Sequence, residues 1–275
     1  MKRILIPFDF TEVAENALVY AISLFENSEI TFYLLNVYES FTSELLSDEY
    51  SDDWFSKIDD SVVSELKERA KKLNETTADN HNFQSLVYTD SVINSIQHVT
   101  QIHSIDLIIS GTKGARGKSE IFMNTNTLAI IKRIRQCPTI AVPFDYEFSP
   151  VKKIVLSTNF KRTILPKELK PIINICTLTD AHLEIVSLSE ERYLNEQQKE
   201  NKKILEAILT SFYPSFKKIE WFDSEAKTLI TYMKSSQSQL LCLVNHKYNF
   251  FHKFLEEDVI KRTSFNSEIP LLVVP

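Results

Sequence analysis

Lys2-Arg3-Ile4-Leu5-Ile6-Pro7-Phe8-Asp9-Phe10 returns far along the chain as Lys152-Lys153-Ile154-Val155-Leu156-Ser157-Thr158-Asn159-Phe160. In each copy two basic residues precede a buried-strand pattern, and a turn-forming Asp or Asn followed by Phe closes it. A second pair of stretches matches near the end of each half. Cys137-Pro138-Thr139-Ile140-Ala141-Val142-Pro143 corresponds to Ile269-Pro270-Leu271-Leu272-Val273-Val274-Pro275. Likeness at a spacing of well over a hundred residues indicates a duplicated unit rather than a solenoid. The join falls in the polar and aromatic stretch from Asp145 to Pro150, which predicts domains at 1–146 and 151–275.

Between the matched ends, apolar runs alternate with helical patterns. The first half predicts strands at Arg3–Pro7, Ile30–Val37, Phe83–Tyr88, Leu107–Ser110 and Thr139–Val142. Thr11 is a candidate N-cap for a helix with Ala14, Ala17, Leu18, Ala21 and Leu24 on one side. Further helices are expected from Ile58 to Asn80, Val92 to His103 and Asn126 to Gln136. The second half repeats the alternation, with strands near Ile154–Ser157, Leu183–Ser187, Lys218–Trp221, Leu240–Val244 and Leu271–Val274. Such alternation gives an α/β fold, here two tandem doubly wound, Rossmann-like parallel five-stranded sheets with right-handed crossovers. Glu39 to Asp60 is acidic and serine-rich, fits neither period, and is expected to be an excursion over the sheet edge.

The totals are those of a globular protein: 275 residues, 43% hydrophobic and 25% charged. A net charge of −6 opposes a nucleic-acid binder working through a basic face. No apolar stretch reaches the roughly 18–20 residues of a membrane span, and no signal region opens the chain, so a cytoplasmic location without membrane contact is expected. Cys137, Cys176 and Cys242 are odd in number and far apart, which suggests neither a disulfide framework nor a metal knuckle. The six histidines show no H-x-x-x-H spacing, and no metal ligand or catalytic set is assigned.

Three glycines, Gly111, Gly114 and Gly117, are all the chain has, and they follow the strand pattern Leu107–Ser110 directly. Glycine lets a ligand approach the backbone, and the carboxyl end of a strand is where open α/β sheets bind ligands. Lys113, Arg116 and Lys118 add positive charge, and Thr125 and Asn126 open the following helix, where N–H groups favour an anion. Asp9, after the first strand, can accept hydrogen bonds from ribose hydroxyls. The stretch Gly111 to Ser119 is not a P-loop, which needs four residues before Gly-Lys-Ser where this chain has five from Gly111 to Gly117. Gly114-Ala115-Arg116-Gly117 matches the KH-domain clamp, but topology and charge oppose that reading.

This pattern resembles the universal stress protein family in tandem form, over the whole first half and more weakly over the second. The family signature is Gly, two residues, Gly, nine residues, Gly, then Ser or Thr. Gly111, Gly114 and Thr125 match it, and Asn124 stands at the final glycine, where Asn also reaches left-handed conformations. The resemblance implies an adenine-nucleotide site made by Pro7, Asp9, Val37, Gly111, Lys113, Gly114, Arg116, Asn124, Thr125 and Asn126. It implies ATP, with Mg²⁺ as an optional companion, bound as a conformational signal with little or no hydrolysis. In the second half Asn159 replaces the aspartate, and Asn245 and Tyr248 are expected at the places of Gly111 and Gly114, so no cofactor is expected there. Family likeness also implies pairing through the final strands, as a pseudo-dimer within the chain or a homodimer. A nucleotide-free scaffold acting through an unknown protein partner remains the alternative.

Overall fold

The structure is a computed structural model. It describes residues 1–38, 52–112, 125–188, 193–221, 224–244 and 269–275, with backbone alone for 52–59 and 125. The first half runs β1 (Arg3–Pro7), α1 (Glu12–Leu24), β2 (Ile30–Val37), α2 (Asp52–Thr76), β3 (His81–Tyr88), α3 (Val92–Ile102), β4 (Leu107–Thr112), α4 (Thr125–Arg133) and β5 (Thr139–Pro143). The second runs β6 (Lys153–Ser157), α5 (Pro166–Thr179), β7 (His182–Ser187), α6 (Glu196–Leu209), β8 (Ser215–Lys218), α7 (Glu225–Ser235), β9 (Leu240–Val244) and β10 (Leu271–Val274).

The strands form one sheet in the order β3-β2-β1-β4-β5-β10-β9-β6-β7-β8. Neighbours within each half are parallel, whereas β5 and β10 pair antiparallel. Ile140 lies directly opposite Leu272, its counterpart in the repeat, so a pseudo-twofold axis passes between them. Both side chains are fully buried, and each strand closes the edge the other would have exposed.

Strands buried on both faces need apolar side chains on both, as Ile4, Leu5 and Ile6 of β1 and Leu107, Ile108 and Ile109 of β4 provide. One face carries a core that runs through both halves, formed by α1, α2, α5 and α6. The opposite face is covered by α3 and α4 in the first half and by α7 in the second. Thr11 caps α1 as the sequence predicts, accepting from the Ala14 N–H at 3.3 Å. Ser91 and Ser224 cap the equivalent helices α3 and α7 in the same way.

At the amino-terminal end of the sheet the halves use one device with different residues. The Asp106 carboxylate accepts from the backbone N–H groups of Lys2 and Arg3, at 2.7 and 3.2 Å. The Gln239 amide oxygen accepts from those of Lys152 and Lys153, at 3.0 and 2.9 Å. This pins the register of the repeat. β1 pairs Ile4 with Leu107, and β6 pairs Ile154 with Leu240, so the counterpart of Gly111 is Val244 rather than the expected Asn245.

Three expectations change at element boundaries. Residues 52–60, expected within the excursion, belong to helix α2, and 39–51 lie outside the described residues. β4 continues through Gly111 and Thr112, because β5 supplies partners for both at Val142 and Pro143. β8 is Ser215–Lys218 rather than Lys218–Trp221, since β7 pairs Glu184 with Ser215 and Ser187 with Lys218. An outer strand tolerates the two lysines, and Trp221 is left largely exposed. Among the described residues no helix is long and apolar enough to cross a membrane, and no cluster of His, Cys, Asp and Glu is arranged to hold a metal ion. All three cysteines are free and buried.

Candidate functional site

The carboxyl ends of β1, β2 and β4 meet the first turns of α1, α3 and α4 around one open cleft. Its wall includes Pro7, Asp9, Val37, Gly111 and Asn126, half of the ten residues singled out from the sequence. It lies where the strand order reverses, β1 being flanked by β2 and β4, the usual ligand position in an open α/β sheet. Lys113, Gly114, Arg116 and Asn124 lie outside the described residues. Thr125 is the first residue of α4, described by its backbone alone.

Asp9 is held by its own turn. Its Oδ1 accepts from the Thr11 hydroxyl at 2.6 Å and the Thr11 N–H at 3.2 Å. Phe10 between them has φ 59°, a left-handed conformation that the Asp9–Thr11 bonds sustain. The second carboxylate oxygen, Oδ2, has no hydrogen-bond partner among the described residues, and Asp9 is exposed at the cleft mouth. Asn36, next to the cleft on β2, is buried and donates from Nδ2 to the Phe8 carbonyl at 2.8 Å, which fastens the end of β1 to the end of β2.

Gly111 owes its identity first to packing. A Cβ there would lie 2.3 Å from the Val13 carbonyl oxygen and 2.7 Å from Val13 Cγ1. The first turn of α1 therefore rests on the backbone of β4, and only glycine permits it. Its φ is not in the left-handed region, so close approach rather than turn geometry sets the requirement. The bare backbone at Gly111 faces the cleft as well.

The start of α4 is fixed from below. The Thr127 hydroxyl, fully buried, donates to the Gly111 carbonyl at 2.8 Å and is 2.9 Å from the Ser110 hydroxyl. This ties the amino end of α4, with Asn126 on the cleft wall, to the end of β4. The sequence reading missed Ser110, Thr127, Phe8, Leu35 and Val92, of which all but Thr127 line the cleft. Their signal is positional: each lies within two residues of a strand end or a helix start at this rim.

In the second half the corresponding turn is tied to the neighbouring helix. Asn159 keeps the turn, accepting from the Lys161 N–H at 3.0 Å, and Phe160 repeats the left-handed φ at 55°. Its carbonyls are taken up by α6, Gln198 donating to Asn159 O at 2.8 Å and Asn201 to Phe160 O at 2.9 Å. The expected aromatic loop from His246 to His252 and Tyr248 lies outside the described residues.

Comparison with known proteins bears on the family and the fold. The sequence profile of the universal stress protein family matches residues 1–143, more than half of the chain. The chain belongs to the universal stress protein family. A universal stress protein from Archaeoglobus fulgidus is similar in fold over the whole length, with TM-score 0.72 and 14% identity, covering 99% of this chain and 97% of that one. A functionally unknown protein from Pseudomonas aeruginosa PAO1 gives TM-score 0.53 and 11% identity over 100% and 92%. A family protein from Arabidopsis thaliana, solved with AMP bound, covers 52% of this chain and 92% of its own, with TM-score 0.37 and 14% identity. No protein of curated function matches the chain by sequence.

Proposed function

We propose that this universal stress family protein binds an adenine nucleotide, ATP in the first instance, in the cleft of its first half and acts as a regulatory protein. The observation that carries the reading is the convergence of Pro7, Asp9, Val37, Gly111 and Asn126 on one cleft at the strand-order reversal. The residues present fit such a ligand. Asp9 Oδ2 is free to accept ribose hydroxyls, Val37 and Val92 offer an apolar wall to a base, and the fixed amino end of α4 favours phosphate. Hydrolysis is expected to be slow: the described wall offers no histidine, and Asp9 already holds two hydrogen bonds within its turn.

The test is to denature the purified protein, chromatograph the supernatant for adenine nucleotide, and titrate ATP, with and without Mg²⁺, into stripped protein. Close to one nucleotide per chain is expected, with Asp9→Asn binding about tenfold more weakly through loss of a charged acceptor. No release and no binding heat at millimolar ATP would defeat the reading and leave the nucleotide-free scaffold.

A further inference from the structure

The strand order leaves β3 and β8 as the outer strands of the sheet, and their edges differ. β8 is four residues long and carries Lys217 and Lys218. Shortness and lysine are two devices that keep an edge from pairing with foreign strands. β3 has neither: it is eight residues long, with no Pro, Asp, Glu, Lys or Arg. Its register shows which backbone groups face outward. Ile30 donates to the Asn80 carbonyl and Tyr38 to the Tyr88 carbonyl, so the even-numbered residues turn to β2. Phe83, Ser85 and Val87 turn away from it. Asn74 of α2 takes up the first of these, its Oδ1 accepting from the Phe83 N–H at 2.8 Å and its Nδ2 donating to the Phe83 carbonyl at 3.0 Å. A side-chain amide thus stands in for a neighbouring strand at one place. The N–H and C=O groups of Ser85 and Val87 have no such partner among the described residues.

Beyond Asn74 the same flank of α2 is basic. Lys71 and Lys67 precede Asn74 by three and seven residues, a spacing that puts all three on one side of the helix. As the crossover between parallel strands β2 and β3, α2 runs antiparallel to β3. Seven residues of helix rise about 10 Å, as three residues of strand do, so Lys67 comes alongside the stretch from Ser85 to Val87. Lys67 is exposed and has no charged partner among the described residues. Lys71 lies 3.9 Å from a Glu75 carboxylate oxygen, and both side chains are largely exposed.

We propose that the free part of the β3 edge receives an acidic peptide in extended conformation. The peptide adds a strand beside Ser85 and Val87, with backbone hydrogen bonds to both, and its carboxylates face Lys67 and Lys71. A second copy of the chain fits the edge less well. Two β3 strands paired antiparallel would be related by a twofold axis normal to the sheet. That axis sets one α2 beside the other and turns lysine towards lysine. The docking surface requires no nucleotide in the first-half cleft.

The probe is a short end-blocked peptide of alternating Glu and Val, titrated into the full chain and followed by amide-resolved NMR and hydrogen exchange. Two controls accompany it: the same peptide with Lys in place of Glu, and the same peptide N-methylated at alternate residues. The Glu peptide is expected to slow exchange at the Ser85 and Val87 amides and to leave Phe83, already bonded to Asn74, unchanged. Both controls should bind at least about tenfold more weakly, and Lys67→Glu should weaken the Glu peptide about tenfold. Equal binding of the Glu and Lys peptides would overturn the proposal, as would an N-methylated peptide or a Lys67→Glu chain that binds as its parent does. No response at millimolar peptide would overturn it as well. So would protection of Ser85 and Val87 that grows with protein concentration in the absence of peptide, since the occupant would then be a second copy.

Discussion

The turn Asp9-Phe10-Thr11 and the turn Asn159-Phe160-Lys161 have the same shape, and the comparison separates what the fold needs from what it leaves free. Both put a side-chain oxygen two residues ahead of an N–H and hold a left-handed Phe between. The amide of Asn159 does this as well as the carboxylate of Asp9. Asp106 and Gln239 teach the same lesson at the other end of the sheet. What differs between the halves at the turn is charge, and charge is surplus to the fold.

The glycine position teaches the reverse. Thr11 caps α1 two positions after Asp9, whereas Leu165 precedes α5 six positions after Asn159. The short connection presses Val13 onto Gly111, and the longer one accompanies a Cβ at Val244. Glycine in the first half is thus a packing requirement that also leaves the cleft wall bare.

Exchanging residues between the halves breaks or sharpens this comparison. Gly111→Val should have the largest effect, about 3 kcal/mol of destabilisation by chemical denaturation, because the new Cβ meets backbone rather than a mobile side chain. The reciprocal Val244→Gly should cost only about 1 kcal/mol. If the two costs are equal, the close approach of α1 is not what fixes the glycine.

Lys153→Met should come close behind. Glu184 is buried and pairs with Lys153 at 2.9 Å, Tyr232 and Ser215 completing its partners. Burial opposes its charge, but the Tyr232 and Lys153 hydrogen bonds and the Lys153 charge together hold the carboxyl below its ordinary range. In the first half the same place holds Tyr33 against His103. Removing the lysine strands a buried charge, at about 3 kcal/mol. A depressed folded pKa contributes stability above the unfolded value, about 4.3, and loses it as pH falls through the folded one. The penalty of Lys153→Met should therefore be full above about pH 5 and shrink below about pH 4. A penalty that does not change with pH would place it in packing instead.

The smallest effects belong to Asp9→Asn and Asp106→Gln, each expected within about 0.5 kcal/mol of the parent. For Asp9→Asn that near-silence in stability should coincide with the loss of ATP affinity; a collapse in stability would make the carboxylate structural.

Much of this was legible in the sequence because it is periodic or duplicated. The repeated Lys-Arg/Lys-apolar opening gave β1 with its boundaries and β6 to within one residue, and Thr11 gave the start of α1. β8 escaped because its lysines conceal it: an outer strand is defined by its neighbour's ladder, not by its own apolar pattern. The helical start at Asp52 hid in an acidic, serine-rich stretch. Of the cleft wall, Pro7, Asp9, Val37, Gly111 and Asn126 were visible from motif and position. Thr127 was not, since a hydroxyl bonded beneath a strand end has no spacing signature.

The join between the halves has a consequence in time. Ile140 and Leu272 face each other across the pseudo-twofold axis although 132 residues of chain separate them. A ribosome adding residues at its usual pace needs on the order of ten seconds to travel between the two. Throughout that interval the nascent first half presents an apolar strand with an open edge. The nearest rival for that edge is the same strand on a neighbouring ribosome, whose pairing would copy the antiparallel join between two chains. Late arrival of β10 thus makes synthesis, more than the finished molecule, the moment when one chain is kept apart from the next.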